Sequence, residues 1–362
     1  MPMRRDQLPP HPSATYVMPR YKAMYISVNK AACTSLKWLV ADVQEESPDR
    51  FARSLSRELT RTMTVHRRNL WRHTPRAKDL SDTEIAAIDP QDDWFVFAVV
   101  RHPTARLFSA WQSKLLLREG WWVEQFGHEP WFPRIPTSTE DVVEDFRRFV
   151  RAAQEDPEHK ILRNRHFAPQ PWMLALDRME YTRIYPTSEI PQLLEDFERH
   201  LRANGWDGEP LKLRRANETP LPPIPSLFGP DVLATVQEMF ADDFRVFGYD
   251  DPMPGGLDAS DTYSPAQIAE VERLIERAER INDLATRSQK LAKQLKRAER
   301  RTLASAGPQH SALRRWLWRT RRRFTKPSAQ QPAGAPDDRS QNGLKRVGQG
   351  APDRERRAKQ PT

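Results

Sequence analysis

The sequence predicts an α/β fold built on a mostly parallel sheet with helices on both faces. Two observations carry this. Short apolar runs alternate with helical patterns over roughly the first 250 residues. One of the runs, "DWFVFAVV" (93–100), is almost continuously apolar, the mark of a strand buried on both faces of a parallel sheet.

The elements follow in order. Residues 1–20 are Pro-rich and polar and read as a flexible lead-in. Met24–Val28 reads as the first strand, and Leu36, Trp38, Leu39 and Val40 as the start of a helix. The 93–100 strand ends at Arg101-His102-Pro103. After it, "TARLFSAWQSKLLL" sets Leu107, Trp111 and Leu115 on one helical face. "YTRIYPTSE" (181–189) is a third strand, followed by the helix "IPQLLEDFERHL". Residues 230–249 read as a helix running into an aromatic closing segment.

The composition changes after about residue 255. Ser264 as N-cap, Pro265 at the first helical position and Gln267 closing a capping box start one long charged helix over 262–304. Val271, Leu274, Ala278, Ile281, Ala285, Ala292 and Leu295 follow a seven-residue pattern broken at Ser288. That seam leaves two readings open: a homodimer through 264–300, or a single helix lying on the domain. The tail, 305–362, is rich in Pro, Gln, Ala, Gly and Arg and is expected to be basic and disordered. Within it, "LRRWLWRTRRRF" (313–324) interleaves Arg with Trp, a pattern suited to peripheral contact with an anionic membrane or to a solvated basic linker. The chain thus divides into a lead-in (1–20), a main domain (21–255), the long helix and the tail.

The 362 residues suffice for one large domain with extensions, at about 100–200 residues per domain. The net charge of +9 favours an anionic partner. A single cysteine excludes an intrachain disulfide. No apolar run reaches the roughly 18 residues of a membrane span, and the N-terminal arginines are not followed by the apolar core of a secretory signal. The expected location is the cytoplasm, with contact to the inner membrane surface as the extension suggested by 313–324.

Ligands of open α/β sheets bind beyond the carboxyl ends of the strands. Lys30 and Arg101 both stand at such ends. In "VNKAACTSLKWL" (28–39) a lysine and small residues separate strand from helix. The backbone N–H groups of Ala31, Ala32, Cys33, Thr34 and Ser35 can face an anion, and the two hydroxyls add donors. The turn has no glycine and its lysine precedes the small residues, so it is not a Walker loop. At the second strand end, "VVRHPTARLFSAWQSKL", Arg101 offers a planar fork of donors and Ser109 a hydroxyl. No cluster with metal-ligand spacing occurs, and no metal is expected.

These two stretches resemble the donor-binding signatures of the carbohydrate sulfotransferases, in the branch of the chondroitin 4-sulfotransferases and the HNK-1 sulfotransferase. That branch reads P-K-x-x-C-T-x-W-K at the first site and V-R-[DE]-P-F-x-R-L-x-S-A at the second. "MTVHRRNL", "LSDTEIAAI", "NRHFAPQ" and "ADDFRVFGY" match in the same order, so that the resemblance spans about residues 22–250. It implies a P-loop-like three-layer fold that binds 3′-phosphoadenosine 5′-phosphosulfate (PAPS) and transfers its sulfuryl group to a hydroxyl of a carbohydrate or glycolipid. By this resemblance Lys30 to Ser35 would hold the 5′-phosphosulfate, Arg101 and Ser109 the 3′-phosphate, and Lys30 would neutralise the bridging oxygen. Asn29, His102 and Thr104 depart from the branch pattern, and its membrane anchor has no counterpart, which implies a soluble, bacterial-type relative.

The acceptor hydroxyl needs a base, and histidine fits. His66 in "MTVHRRNLW" is the first candidate and His166 in "NRHFAPQ" the second. His102 reads as shaping the turn. Trp121, Trp122, Trp131 and Phe132 form either a sugar-stacking surface or a local hydrophobic cluster. Arg163 and Arg165 leave two readings open: attraction of an acidic or already sulfated sugar, or plain surface charge. Two other readings stay open. One is a nucleotide-binding relative without turnover. The other is a nucleic-acid-binding protein, against which stands the lack of a recognisable DNA- or RNA-binding motif, so no nucleic-acid partner is expected.

Overall fold

A computed structural model describes residues 3–53, 61–214, 216 and 219–305. The α/β fold is as expected. Four strands form one sheet in the order β1 (Thr15–Met18), β2 (Ala23–Ile26), β3 (Phe95–Val100), β4 (Arg183–Pro186). The pairs β2–β3 and β3–β4 are parallel, in the registers Tyr25↔Phe97 and Val99↔Tyr185. All six residues of β3 are buried, as its unbroken apolar run requires of a strand with neighbours on both edges. β4 is a sheet edge, and Arg183 faces solvent there.

β1 corrects the reading of residues 1–20 as a flexible lead-in. Its four residues are buried and pair antiparallel with β2, with Tyr16 opposite Tyr25. Four residues are too few to show an alternation, and prolines at 9, 10, 12 and 19 surround them. A turn at Pro19–Tyr21, closed by Lys22 at φ +44, joins the two strands. The outer edge of β1 is covered rather than left open: the Val17 N–H donates to Pro75 O, and Tyr16 bridges to Arg76.

The helices are α1 (Cys33–Val43), α2 (Pro48–Arg53), α3 (Asp82–Ala86), α4 (Pro103–Trp111), α5 (Gly120–Phe126), α6 (Thr139–Glu155), α7 (Gln170–Leu174), α8 (Ile190–Ala203), α9 (Pro230–Met239), α10 (Ala241–Phe247) and α11 (Pro265–Ser305). Each parallel strand leads into a helix: β2 into α1, β3 into α4, β4 into α8. The stretch 230–249, expected as a helix running into an aromatic closing segment, forms two helices, because the chain turns at Phe240, and Gly248 at φ +66 ends the second in a left-handed cap that suits glycine.

Two apolar cores result. One is built on the sheet. On one of its faces Tyr16, Tyr25, Phe97 and Phe197 of α8 form a run of ring contacts with centroids 4.9–5.9 Å apart. The other is formed by helices and loops, with Phe108, Trp111, Phe146 and Phe228 in edge contacts. Trp122 and Trp131 belong to this second core. They are the hydrophobic cluster rather than a sugar surface, and only Trp121 of the pair 121–122 is exposed.

The long helix begins as its sequence predicts. The Gln267 N–H donates to Ser264 Oγ, and the Ser264 N–H donates to Gln267 Oε1. Of the two readings left open for it, the first turns follow that of a helix lying on the domain. Tyr263, Ile268, Val271 and Ile275 are buried in the second core, and Asn282 Nδ2 donates to Arg118 O. The first part of the helix therefore lies on the domain, and Val271 of the expected seam is spent on that contact. Residues up to Leu291 form one compact unit; of the second, from Ala292, only 292–305 are described. The segment 313–324 and the rest of the tail lie outside the described residues. Among the described residues no helix is long and apolar enough to cross a membrane.

Ile275 is fully buried, whereas Leu291 is 65% exposed. Ile275→Ala is expected to destabilise the domain by ~2–5 kcal/mol, and Leu291→Ala by no more than ~0.5 kcal/mol. Urea unfolding of both variants checks that the helix start belongs to the domain core.

Candidate active site

The chain leaves β2 through Ser27–Ala32, and two residues of this glycine-free turn have left-handed backbones: Lys30 at φ +69 and Ala32 at φ +53. Such conformations cost roughly 1–3 kcal/mol each in non-glycine residues and persist only where the surroundings impose them. Ala32 is the N-cap of α1, and no side chain caps that end. The first-turn N–H groups of Cys33, Thr34 and Ser35 thus have no partner within the helix.

They open on a cleft of about 540 Å³. Lys30, Ala32, Cys33, Thr34 and Ser35 line one side of it, and Arg101 and Ser109 line another. The two strand-end stretches therefore converge on one cavity, because β2 and β3 are adjacent and parallel. Ala31 is the exception among the expected anion-facing residues. Its side chain is fully buried and its N–H donates back to Val28 O, so it closes the turn instead of facing the cleft.

Lys30 Nζ donates to Ser113 Oγ at 2.9 Å. Ser113 sits in a single π-helical turn, Gln112–Leu116, that continues α4, a distortion frequent at functional sites. Burial holds the Lys30 pKa down to about 8, with the Lys114 ammonium as the next cause. Arg101 is fixed through its backbone: Gln170 Oε1 accepts its N–H, and Gln170 Nε2 donates to its carbonyl. Gln170 is in turn held by the buried carboxylate of Asp243. Among the described residues the Arg101 guanidinium has a single long contact, 3.5 Å, to Lys30 O, which leaves donors for a ligand. The Ser109 hydroxyl has no protein partner among the described residues and lies at the cleft wall.

Both histidines touch the Lys30 turn from outside the cleft. His66 Nε2 is 3.0 Å from Thr34 Oγ1, and its Nδ1 is 3.1 Å from Lys37 Nζ. Lys37 can only donate as an ammonium, so Nδ1 accepts and Nε2–H donates to Thr34. His166 Nε2 accepts from Asn29 Nδ2 at 2.9 Å, and its Nδ1–H donates to Asn164 Oδ1 at 2.8 Å. Burial, and then Lys37, Lys114, Arg165 and Lys30, hold the His66 pKa down to about 2. Burial, and then Lys114, Lys30, Arg165 and Arg106, hold His166 well below the usual range. Both rings are therefore neutral. His102 shapes its turn: its Nε2 bonds Asp251 O, and its ring meets Phe244 and Tyr249 edge-on.

Gln170, Asp243 and Arg106 carry the site without having been singled out in the sequence. Gln170 and Asp243 lie inside "NRHFAPQ" and "ADDFRVFGY", and Arg106 lies inside the second donor stretch. A larger groove, about 700 Å³ along α6, holds none of the strand-end residues, and its three arginines are matched by three acidic residues. No group of three or more His, Cys, Asp or Glu side chains among the described residues is arranged to hold a metal ion.

A family model described as the sulfotransferase family matches residues 13–250. No curated protein and no solved structure matches the chain.

Proposed function

Because the chain belongs to the sulfotransferase family, we propose that it transfers the sulfuryl group of PAPS to a hydroxyl of a carbohydrate or glycoconjugate. The observation that carries this reading is the convergence of Lys30, Thr34, Ser35, Arg101 and Ser109 on one cleft. Its size falls within the roughly 300–1,000 Å³ of ligand pockets. The site has two separate places for anions. The α1 N-terminus with Thr34 and Ser35 suits a phosphosulfate, and the free fork of Arg101 beside Ser109 suits a second phosphate.

In this reading the N–H groups of Cys33 to Ser35 orient the 5′ end of the donor, and the Lys30 ammonium neutralises charge on the bridging oxygen as the S–O bond breaks. Sulfuryl transfer resembles phosphoryl transfer in needing an in-line approach and charge stabilisation more than covalent help from the protein. The acceptor proton needs a base. His166 suits this better than His66. Its lone pair is occupied by a neutral amide, Asn29 Nδ2, which an incoming hydroxyl can replace. The lone pair of His66 is held by the Lys37 ammonium, and a proton taken there would add charge against charge. His66 then serves to hold Thr34. The binding-only reading draws its support from the same fact, that each imidazole has its lone pair engaged; retention of Lys30 at the mouth of the helix favours turnover.

Calorimetric binding of 3′-phosphoadenosine 5′-phosphate, with 5′-AMP and ADP as controls, tests the donor site. The bisphosphate is expected to bind tightly, and Arg101→Ala to weaken it about 10–150-fold, the worth of ~1.5–3 kcal/mol for a bond to a charged group, with AMP unaffected. Equal binding of AMP and the bisphosphate would overturn the assignment. Lys30 works as its charged form, which prevails below its pKa and is lost above it. With both histidines neutral at ordinary pH, kcat/KM is expected to be level from about pH 5.5 to 7.5 and to fall as pH rises through about 8; the limb should vanish in Lys30→Arg if that variant turns over. With a neutral acceptor-side base, His166→Gln should lower kcat by about 10²–10⁴-fold, and His66→Gln by less; the reverse ranking would return the base role to His66.

A further inference from the structure

We propose that Gln112 is a positioning residue for donor binding: it holds a proline-flanked wall, residues 221–223, along the cleft, and that wall sets the affinity for the nucleoside part of the donor. This rests on the PAPS reading above and adds a residue to it.

The starting point is the sequence of the wall. "TPLPPIP" (219–225) has prolines at 220, 222, 223 and 225. Proline has no N–H and cannot donate to a strand ladder, so Leu221 carries the only backbone donor of 220–223. A residue before proline is also driven toward extended backbone. Such a stretch is stiff, but its own backbone has little with which to fix where it lies. Buried backbone groups still require partners.

Gln112 supplies them. It is fully buried. The Leu221 N–H donates to Gln112 Oε1 at 2.9 Å, and Gln112 Nε2 donates to Leu221 O at 3.0 Å. One side-chain amide thus takes the place of a neighbouring strand, as Gln170 does at Arg101. The segment is held again just beyond: Tyr263 Oη donates to Pro222 O and the Asp258 N–H to Pro223 O, both at 2.9 Å. The side chains of Leu221 and Ile224 are buried in the second core, while the half-buried Pro222 and Pro223 line the donor cleft.

The place of the wall fits a nucleoside. The α1 N-terminus with Lys30 is one anion place in the cleft, and Arg101 with Ser109 is the other. The prolines, with Leu213 and Ile190, are the apolar part of the lining, against which a flat base can pack. Gln112 also opens the π-helical turn of α4, whose next residue, Ser113, accepts from Lys30. Adjacent positions of one turn therefore support the wall and the lysine, and the nucleoside end and the reacting end of the donor are set against the same element. A clamp that served only the fold would change stability and leave donor affinity as it is.

Calorimetry on the full chain gives the dissociation constant and the number of sites for 3′-phosphoadenosine 5′-phosphate, and displacement of that ligand gives the constant for 5′-AMP. Gln112→Met keeps the side-chain length and removes both bonds. It is expected to weaken the bisphosphate and AMP alike, each about tenfold, so that their ratio is kept. Tyr263→Phe removes only the bond to Pro222 and should weaken both about two- to fivefold. Arg101→Ala differs from these, since it lowers the ratio. Unchanged constants in Gln112→Met, or in Tyr263→Phe where the first variant does not fold, overturn the proposal even if the melting temperature or the number of sites falls. So does weakening of the bisphosphate alone, which would put Gln112 in the service of Arg101, or an AMP that does not displace the bisphosphate from the wild type. Each of these leaves the donor reading standing. Equal binding of AMP and the bisphosphate by the wild type overturns the donor reading, and the role of Gln112 falls with it.

Discussion

The buried guanidinium of Arg106 holds the site together. It is 1% exposed, and it donates to the carbonyls of Asn29 at 3.0 Å and Arg165 at 3.1 Å. One side chain on α4 thus fixes both the turn that carries Lys30 and the loop that carries His166. Burial draws its pKa down to about 10, Asp243 opposes that shift, and the group stays charged at any working pH. A charged donor makes stronger hydrogen bonds than a neutral one. This helps to explain how a turn without glycine keeps two left-handed residues in sequence positions 30 and 32. The strain is local, and the restraint comes from a different strand–helix unit.

That division of labour sets what could be read from the sequence. Lys30, Arg101 and Ser109 were legible because each stands at or just after the end of an apolar run, and adjacent parallel strands bring such ends together. β3 was legible for the same reason, as six consecutive buried residues leave an unbroken apolar string. β1 was not, since four residues among prolines give no period, and its burial comes from partners that are distant in sequence, Pro75 and Arg76. Arg106, Gln170 and Asp243 were hidden for a related reason. A buried polar residue looks like an exposed one until its partners are known, and these partners lie 59 to 77 residues away. The start of α11 shows the converse: its capping box was local and legible, but its packing against the second core was not local, so the sequence left open whether the helix pairs with a second copy or lies on the domain.

The charges around the turn form a system rather than a set of contacts. Lys30, Lys114 and Arg165 act on both imidazoles, and Lys37 adds to the field at His66. Each cation lowers the basicity of the rings. A nearby negative charge acts in the opposite sense and favours the protonated imidazole. The same groups that attract anions thus keep the histidines poor bases while no anion is near them.

This gives the order of events a physical basis. In the proposed reading, phosphate charge beside Lys30 and Arg101 cancels part of that field. Donor binding would then raise the proton affinity of His166, and by linkage the anion would bind more favourably to the form in which that ring carries a proton. A base that gains strength as the donor arrives would be a poor one while the donor is missing. A site built instead from paired salt bridges would hold its cations at lower cost, but it would also hold its histidines at constant basicity. In the proposed reading the uncompensated charge around the turn therefore couples donor binding to proton transfer, and Arg106, bonded to both the Lys30 turn and the His166 loop, keeps the two halves of that coupling in register.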